Sequence, residues 1–125
     1  MINIFEYQDY RQYLKDKYNE RKKHEPKLSY RKLAQKVGFS SAGFFTNIIS
    51  GKRGISQKIA LKFTEFFGMK IKEREYFKLL VLANQAKKQT QKKHYLDLAL
   101  TLKRIKFKLK DVDSHQFYNQ WYYTA

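Results

Sequence analysis

The chain has 125 residues, 42% of them hydrophobic, and no cysteine. That is one domain, or one domain with an arm, and it excludes a disordered chain, a disulfide framework and a cysteine-held metal. Twenty-seven Lys and Arg against eleven Asp and Glu leave a net charge of +16, a self-repulsion that a polyanion relieves, so nucleic acid is the first partner class to consider and an anionic membrane surface the second.

No apolar run approaches the roughly 18 residues of a membrane span. Residues 1–13 contain Glu6 and Asp9 and lack the basic start and apolar stretch of a signal peptide. A cytoplasmic location is therefore expected. The charge is uneven. Residues 1–28 carry seven bases and five acids, residues 29–68 seven bases and one acid, Glu65. Residues 69–88 carry six bases and two acids, and residues 89–110 seven bases and one acid. The last fifteen residues have two acids and no base.

All five glycines lie between positions 38 and 68, and the one proline is Pro26. Breaker-free flanks predict long helices and an all-α fold. A first helix is expected over about 6–23, with Tyr10, Leu14 and Tyr18 as its buried stripe, Tyr7 nearby and Lys15 outside. Pro26 closes that segment. Ser29 is the expected N-cap of a second helix, 30–37, with Leu33, Ala34 and Val37 inward and Gly38 at its end. Ser40 or Ser41 should cap a third helix running to Ser50, with Phe45, Ile48 and Ile49 apolar. Ser56 should cap a fourth, burying Ile59, Ala60, Phe63, Phe66 and Phe67 and stopping at Gly68. A fifth helix is expected over 72–88 and a sixth over 91–109. The aromatic tail, with Phe117, Trp121 and Tyr122, suggests a short helix begun at Asp113 or Ser114.

Residues 29–68, from Ser29 through Leu33-Ala34, Gly38, Phe45, Ile48 and Gly51-Lys52-Arg53 to Phe67-Gly68, resemble the phage-repressor (Cro/Xre-like) helix-turn-helix domain. The wider stretch from Tyr7 to about Trp121 is similar to the N-terminal part of a paralogue-rich family of bacterial transcriptional regulators. That resemblance implies a five-helix helix-turn-helix domain over 1–88 and an additional C-terminal helix within an extension, 89–125, that leads to or begins a second domain. The chain would then be a fragment or a short version of a longer protein. Two departures stand out. One residue more than the simplest pattern separates Gly38 from Gly51, and we anchor the register on Gly51. Tyr30 stands where the repressor family often has glutamine.

A helix of this kind fits the major groove, and short side chains near its start reach base edges. In the Gly51 register the outward positions are Ser41, Ala42, Gly43, Phe44, Thr46 and Asn47. Asn47 can bond adenine bidentately or be a plain surface amide, Ser41 and Thr46 can donate or accept, and Phe44 can either press on a thymine methyl or belong to the core. No arginine projects from this face, so discrimination by DNA shape is an added expectation. Phosphate contacts are assigned to Ser29, Tyr30, Arg31, Lys32, Lys52, Arg53, Ser56 and Lys58, with Lys36 nearby. Each of these also has an ordinary reading, the serines as caps and the lysines as solvated charges. About six phosphate contacts correspond to a log–log salt slope near −5.

Tyr95, Leu98, Leu102, Ile105 and Leu109 are spaced 3, 4, 3, 4, an a/d seam of about two heptads. Packing on its own domain or on a second one is favoured, because convincing coiled coils run three or four heptads. A homodimer is the alternative, attractive because paired helices address two half-sites. His24, His94 and His115 show no ligand spacing, Asp111 and Asp113 suit a cap and loop, and no nucleophile–base pair or glycine-rich phosphate loop is present. No enzymatic activity, cofactor, metal or small-molecule ligand is expected. Double-stranded DNA is the expected partner. The alternative is a protein-interaction module using the sixth helix and the aromatic tail. RNA is less supported, since the aromatics fall at core spacing.

Overall fold

Three helices of this chain start where a polar side chain takes a free backbone N–H. Asp9 accepts from the Arg11 N–H at 2.9 Å. Ser29 accepts from Lys32 and Ser56 from Ile59, each at 3.2 Å. The computed structural model describes residues 2–105. They form a short 3-10 helix, Ile4–Glu6, and the helices α1 Tyr10–His24, α2 Tyr30–Lys36, α3 Gly43–Ile49, α4 Gln57–Phe66, α5 Ile71–Gln85 and α6 Gln89–Arg104. The described residues are all-helical, with no strand.

Four boundaries differ most from the sequence expectation. The first helix does not begin at residue 6, because Asn3 takes the Phe5 N–H at 3.0 Å and closes a separate turn ahead of the Asp9 cap. The third begins at Gly43, with Ser41 Oγ accepting the Gly43 N–H at 3.2 Å. The fifth helix stops at Gln85 rather than at 88. The sixth begins two residues early, at Gln89. The expected end of the sixth helix and the tail helix lie outside the described residues. Gly38 and Gly51 bracket α3 with φ of 99° and 86°, a conformation that costs an L side chain about 1–2 kcal/mol.

The core lies where α1, α3, α4 and α5 meet. Tyr10, Leu14, Phe45, Ile48, Phe63, Phe77 and Leu80 are essentially solvent-free. Each buried Phe stabilises the fold by about 1.5–3 kcal/mol. Their rings meet largely edge-on: Tyr18 and Tyr30 have centroids 4.7 Å apart, Tyr30 and Phe45 4.9 Å. α2 packs on α3, α1 bridges α3 and α5, and α5 packs on α4 and most extensively on α6.

That last contact gives the 3-4 seam a partner within the chain. Tyr95, Leu98 and Ile105 pack against the chain's own core, and Leu102 is 1% exposed. α5, whose Leu79, Leu80 and Ala83 are buried, packs on α6, while Tyr95, Leu98 and Ile105 are half-buried. Leu109 lies outside the described residues. No described helix is long and apolar enough to cross a membrane.

The fold also holds phenols protonated. Burial pushes the Tyr10 phenol from 10.0 up to about 12, and burial with the Asp16 hydrogen bond does the same to Tyr7. A phenol whose pKa rises on folding stabilises the fold below its unfolded value and loses that contribution as pH climbs through the folded one. Helical circular dichroism is expected to collapse between pH 10 and about 12, together with tyrosine ionisation seen by ultraviolet absorbance. Full ionisation of all tyrosines near pH 10 with helix content intact would contradict this.

Candidate nucleic-acid interface

The outer face of α3 follows from its helical period. Residues four or three apart share a face, so Phe44, Phe45 and Ile48 turn inward together. Gly43, Thr46 and Asn47, with Ser50 at the C-cap, are exposed. The exposed stripe is therefore small, polar and uncharged. Thr46 and Asn47 stand where the sequence expected them, and Ser41 is exposed beside them. Ala42 is half-buried at the N-cap.

Phe44 is a correction. It was expected to face bases, but it is 4% exposed, stacked on Phe39 with ring centroids 3.7 Å apart and parallel to Phe63 at 6.5 Å. Four residues before Ile48, it is on the inner face by geometry and cannot reach a thymine methyl.

Beyond α3, the chain turns at residues 51–54. The Arg53 guanidinium lies over Phe44 at 4.8 Å and Phe39 at 5.0 Å, so its charge is held beside the start of α3. Its backbone N–H donates to the Asn47 carbonyl at 3.1 Å. Lys52, Lys58 and Arg31 are exposed. Tyr30 is half-buried, its ring engaged by Tyr18 and Phe45. Lys32 and Lys36 line a groove with Glu25, Pro26, Leu28 and Phe66, at the C-terminal end of α4. Ser56 and Lys58 stand at the opposite end of that helix. The structure thus holds Arg53 against α3, with Lys52 beside it in the turn and Ser56 and Lys58 at the start of α4, and sets Lys32 and Lys36 in a groove at that helix's other end.

Three residues that the sequence did not single out fix this surface. Arg11 on α1 donates from Nε to the Ile48 carbonyl at 2.9 Å and from Nη2 to the Arg53 carbonyl at 3.2 Å. It is a second donor, beside the Gly51 N–H, to a carbonyl in the last turn of α3, and it ties the following turn to that helix. Gln85, the last residue of α5, accepts at Oε1 from the Ile55 N–H and the Tyr10 hydroxyl, both at 2.7 Å. Its Nε2 donates to the Ile55 carbonyl at 2.9 Å. Asn84 accepts the Tyr10 N–H at 2.9 Å and donates to the Gln8 carbonyl at 3.0 Å. A Cβ on Gly54 would stand 2.7 Å from Gln85 Oε1, so the turn approaches α5 as closely as a glycine allows. The partners lie 30 to 76 residues apart, which explains why no local pattern reveals them. The one available signal was a polar Asn-Gln pair ending the apolar run of residues 79–83.

Among the described residues, no three His, Asp or Glu side chains gather to hold a metal ion. Comparison with protein-family models, with curated proteins and with solved structures returned no match.

Proposed function

We propose that this chain binds double-stranded DNA as a bacterial transcriptional regulator, or as the DNA-binding part of one, through a repressor-like helix-turn-helix. The observation that carries the reading is the outer face of α3, small and polar at Gly43, Thr46, Asn47 and Ser50. It is bordered by Lys52, Arg53 and Lys58, and residues 26–64 contain no acid at all. A helix with such a face enters the major groove without steric or charge conflict. Asn47 then offers its amide to adenine, Thr46 and Ser41 adjust to either neighbour, and the basic turn holds phosphates. Uncharged base readers with charged backbone grips divide the work as duplex recognition requires: phosphate contacts position, base contacts specify.

The test is a titration of mixed-sequence duplex over a salt series. About six phosphate contacts give a log–log slope near −5. A slope near zero, or equal affinity for an acidic polypeptide, would remove duplex DNA as the partner and favour a protein-interaction module instead.

A further inference from the structure

The two longest acid-free stretches of the chain are residues 26–64 and residues 76–96. The first contains Lys52, Arg53 and Lys58, the second Lys87 and Lys88, all five exposed. They are brought side by side by Gln85. Its amide makes two hydrogen bonds to the Ile55 backbone, at 2.7 and 2.9 Å, and crowds Gly54. Lys87 follows two residues later, within about 7.6 Å along the Cα trace. The α5–α6 turn, residues 86–88, therefore lies alongside the turn that leads from α3 to α4.

The acids of these helices lie at their other ends. Glu65 is about 12 Å along α4 from Gln57, and Glu75 about 15 Å along α5 from Gln85, at 1.5 Å per residue. Asp9 is the acid at this end, where α1 begins beside Asn84, and its Oδ1 is engaged by the Arg11 N–H.

We infer that the duplex-binding surface extends past the α3–α4 turn onto the α5–α6 turn, where Lys87 and Lys88 hold backbone phosphates next to those held by Lys52 and Arg53. The inference rests on the duplex reading above and lengthens its footprint with residues outside 29–68. Phosphate contacts carry no sequence information, so these lysines add affinity and salt dependence without changing preference.

The test compares three variants of the full chain on one mixed-sequence duplex over a salt series: Lys87→Ala/Lys88→Ala, Lys52→Ala/Arg53→Ala, and Lys103→Ala/Arg104→Ala. The last removes the same charge about 22 Å away along α6. Circular dichroism checks that each is folded. The Lys87/Lys88 variant is expected to flatten the salt slope by about 1.8, at 0.9 per phosphate, while the Lys103/Arg104 variant leaves it near the parent value. A parent-like slope for the Lys87/Lys88 variant, with a flattened one for Lys52/Arg53, overturns the extension and leaves the duplex reading standing. Equal flattening by Lys103/Arg104 overturns the placement, because the effect is then diffuse charge. No measurable duplex affinity for the parent chain overturns both.

Discussion

Replacing Lys52 and Arg53 together by alanine is expected to weaken duplex binding about 60-fold at 0.1 M salt, the counterion-release term for two phosphates. The loss should be the same for every DNA sequence, because on the proposed reading these side chains grip the backbone and read no base. Both residues are exposed and follow α3 directly, and the stacking of Arg53 over Phe39 and Phe44 holds its guanidinium at the start of that helix. Fluorescence anisotropy on two unrelated duplexes measures the effect, with helical circular dichroism as the control for folding. Affinity within twofold of the parent chain would show that phosphates are held elsewhere.

Gln85→Leu should be the most damaging single polar change in the fold. It leaves the Ile55 N–H, the Ile55 carbonyl and the Tyr10 hydroxyl without the partner they share. Three bonds at about 1 kcal/mol each put the loss near 3 kcal/mol, a fall in Tm of about 15 °C for a domain of this size. The Tyr10 ring is itself solvent-free, edge-on to Phe77 at 6.1 Å, so its hydroxyl has little access to replacement water. Thermal unfolding followed by circular dichroism gives the answer. A Tm within a few degrees of the parent would mean that Gln85 is not the clamp joining α1, α5 and the turn.

What could be read in the sequence was local. Ser29 and Ser56 are found as caps because a hydroxyl placed before an apolar-periodic run satisfies a free N–H within three residues. Gly38 and Gly51 are found because only glycine takes their positive φ at little cost. Tyr10, Leu14 and Tyr18 are found because a four-residue repeat on a fifteen-residue helix has one inner face. Phe44 was misplaced because α3 has only seven residues. Two adjacent phenylalanines on so short a helix fit either of two rotations, and Phe39 and Phe63, which draw Phe44 inward, belong to other segments. The seam on α6 was visible as a seam, but periodicity does not say whether its partner is a second copy or α5 of the same chain.

The candidate surface shows the same division. Asn47, Lys52 and Arg53 are legible because helix register and a glycine-bounded turn place them. Arg11 and Gln85 are not, because their hydrogen bonds span 37 and 30 residues. Lys32 and Lys36 looked equivalent to Lys52 by charge alone, and only the fold sets them in a groove with Glu25, Leu28 and Phe66.

The most direct measurement is the discrimination ratio of Asn47→Ala. Duplexes are first selected by the parent chain from random sequence, and the affinity for the preferred site is divided by that for mixed DNA. Losing one bidentate amide–adenine pair should cost about 1–3 kcal/mol at the preferred site only, so the ratio falls roughly 5- to 150-fold while affinity for mixed DNA holds. An unchanged ratio, or an equal loss on both duplexes, would mean that the outer face of α3 does not read bases.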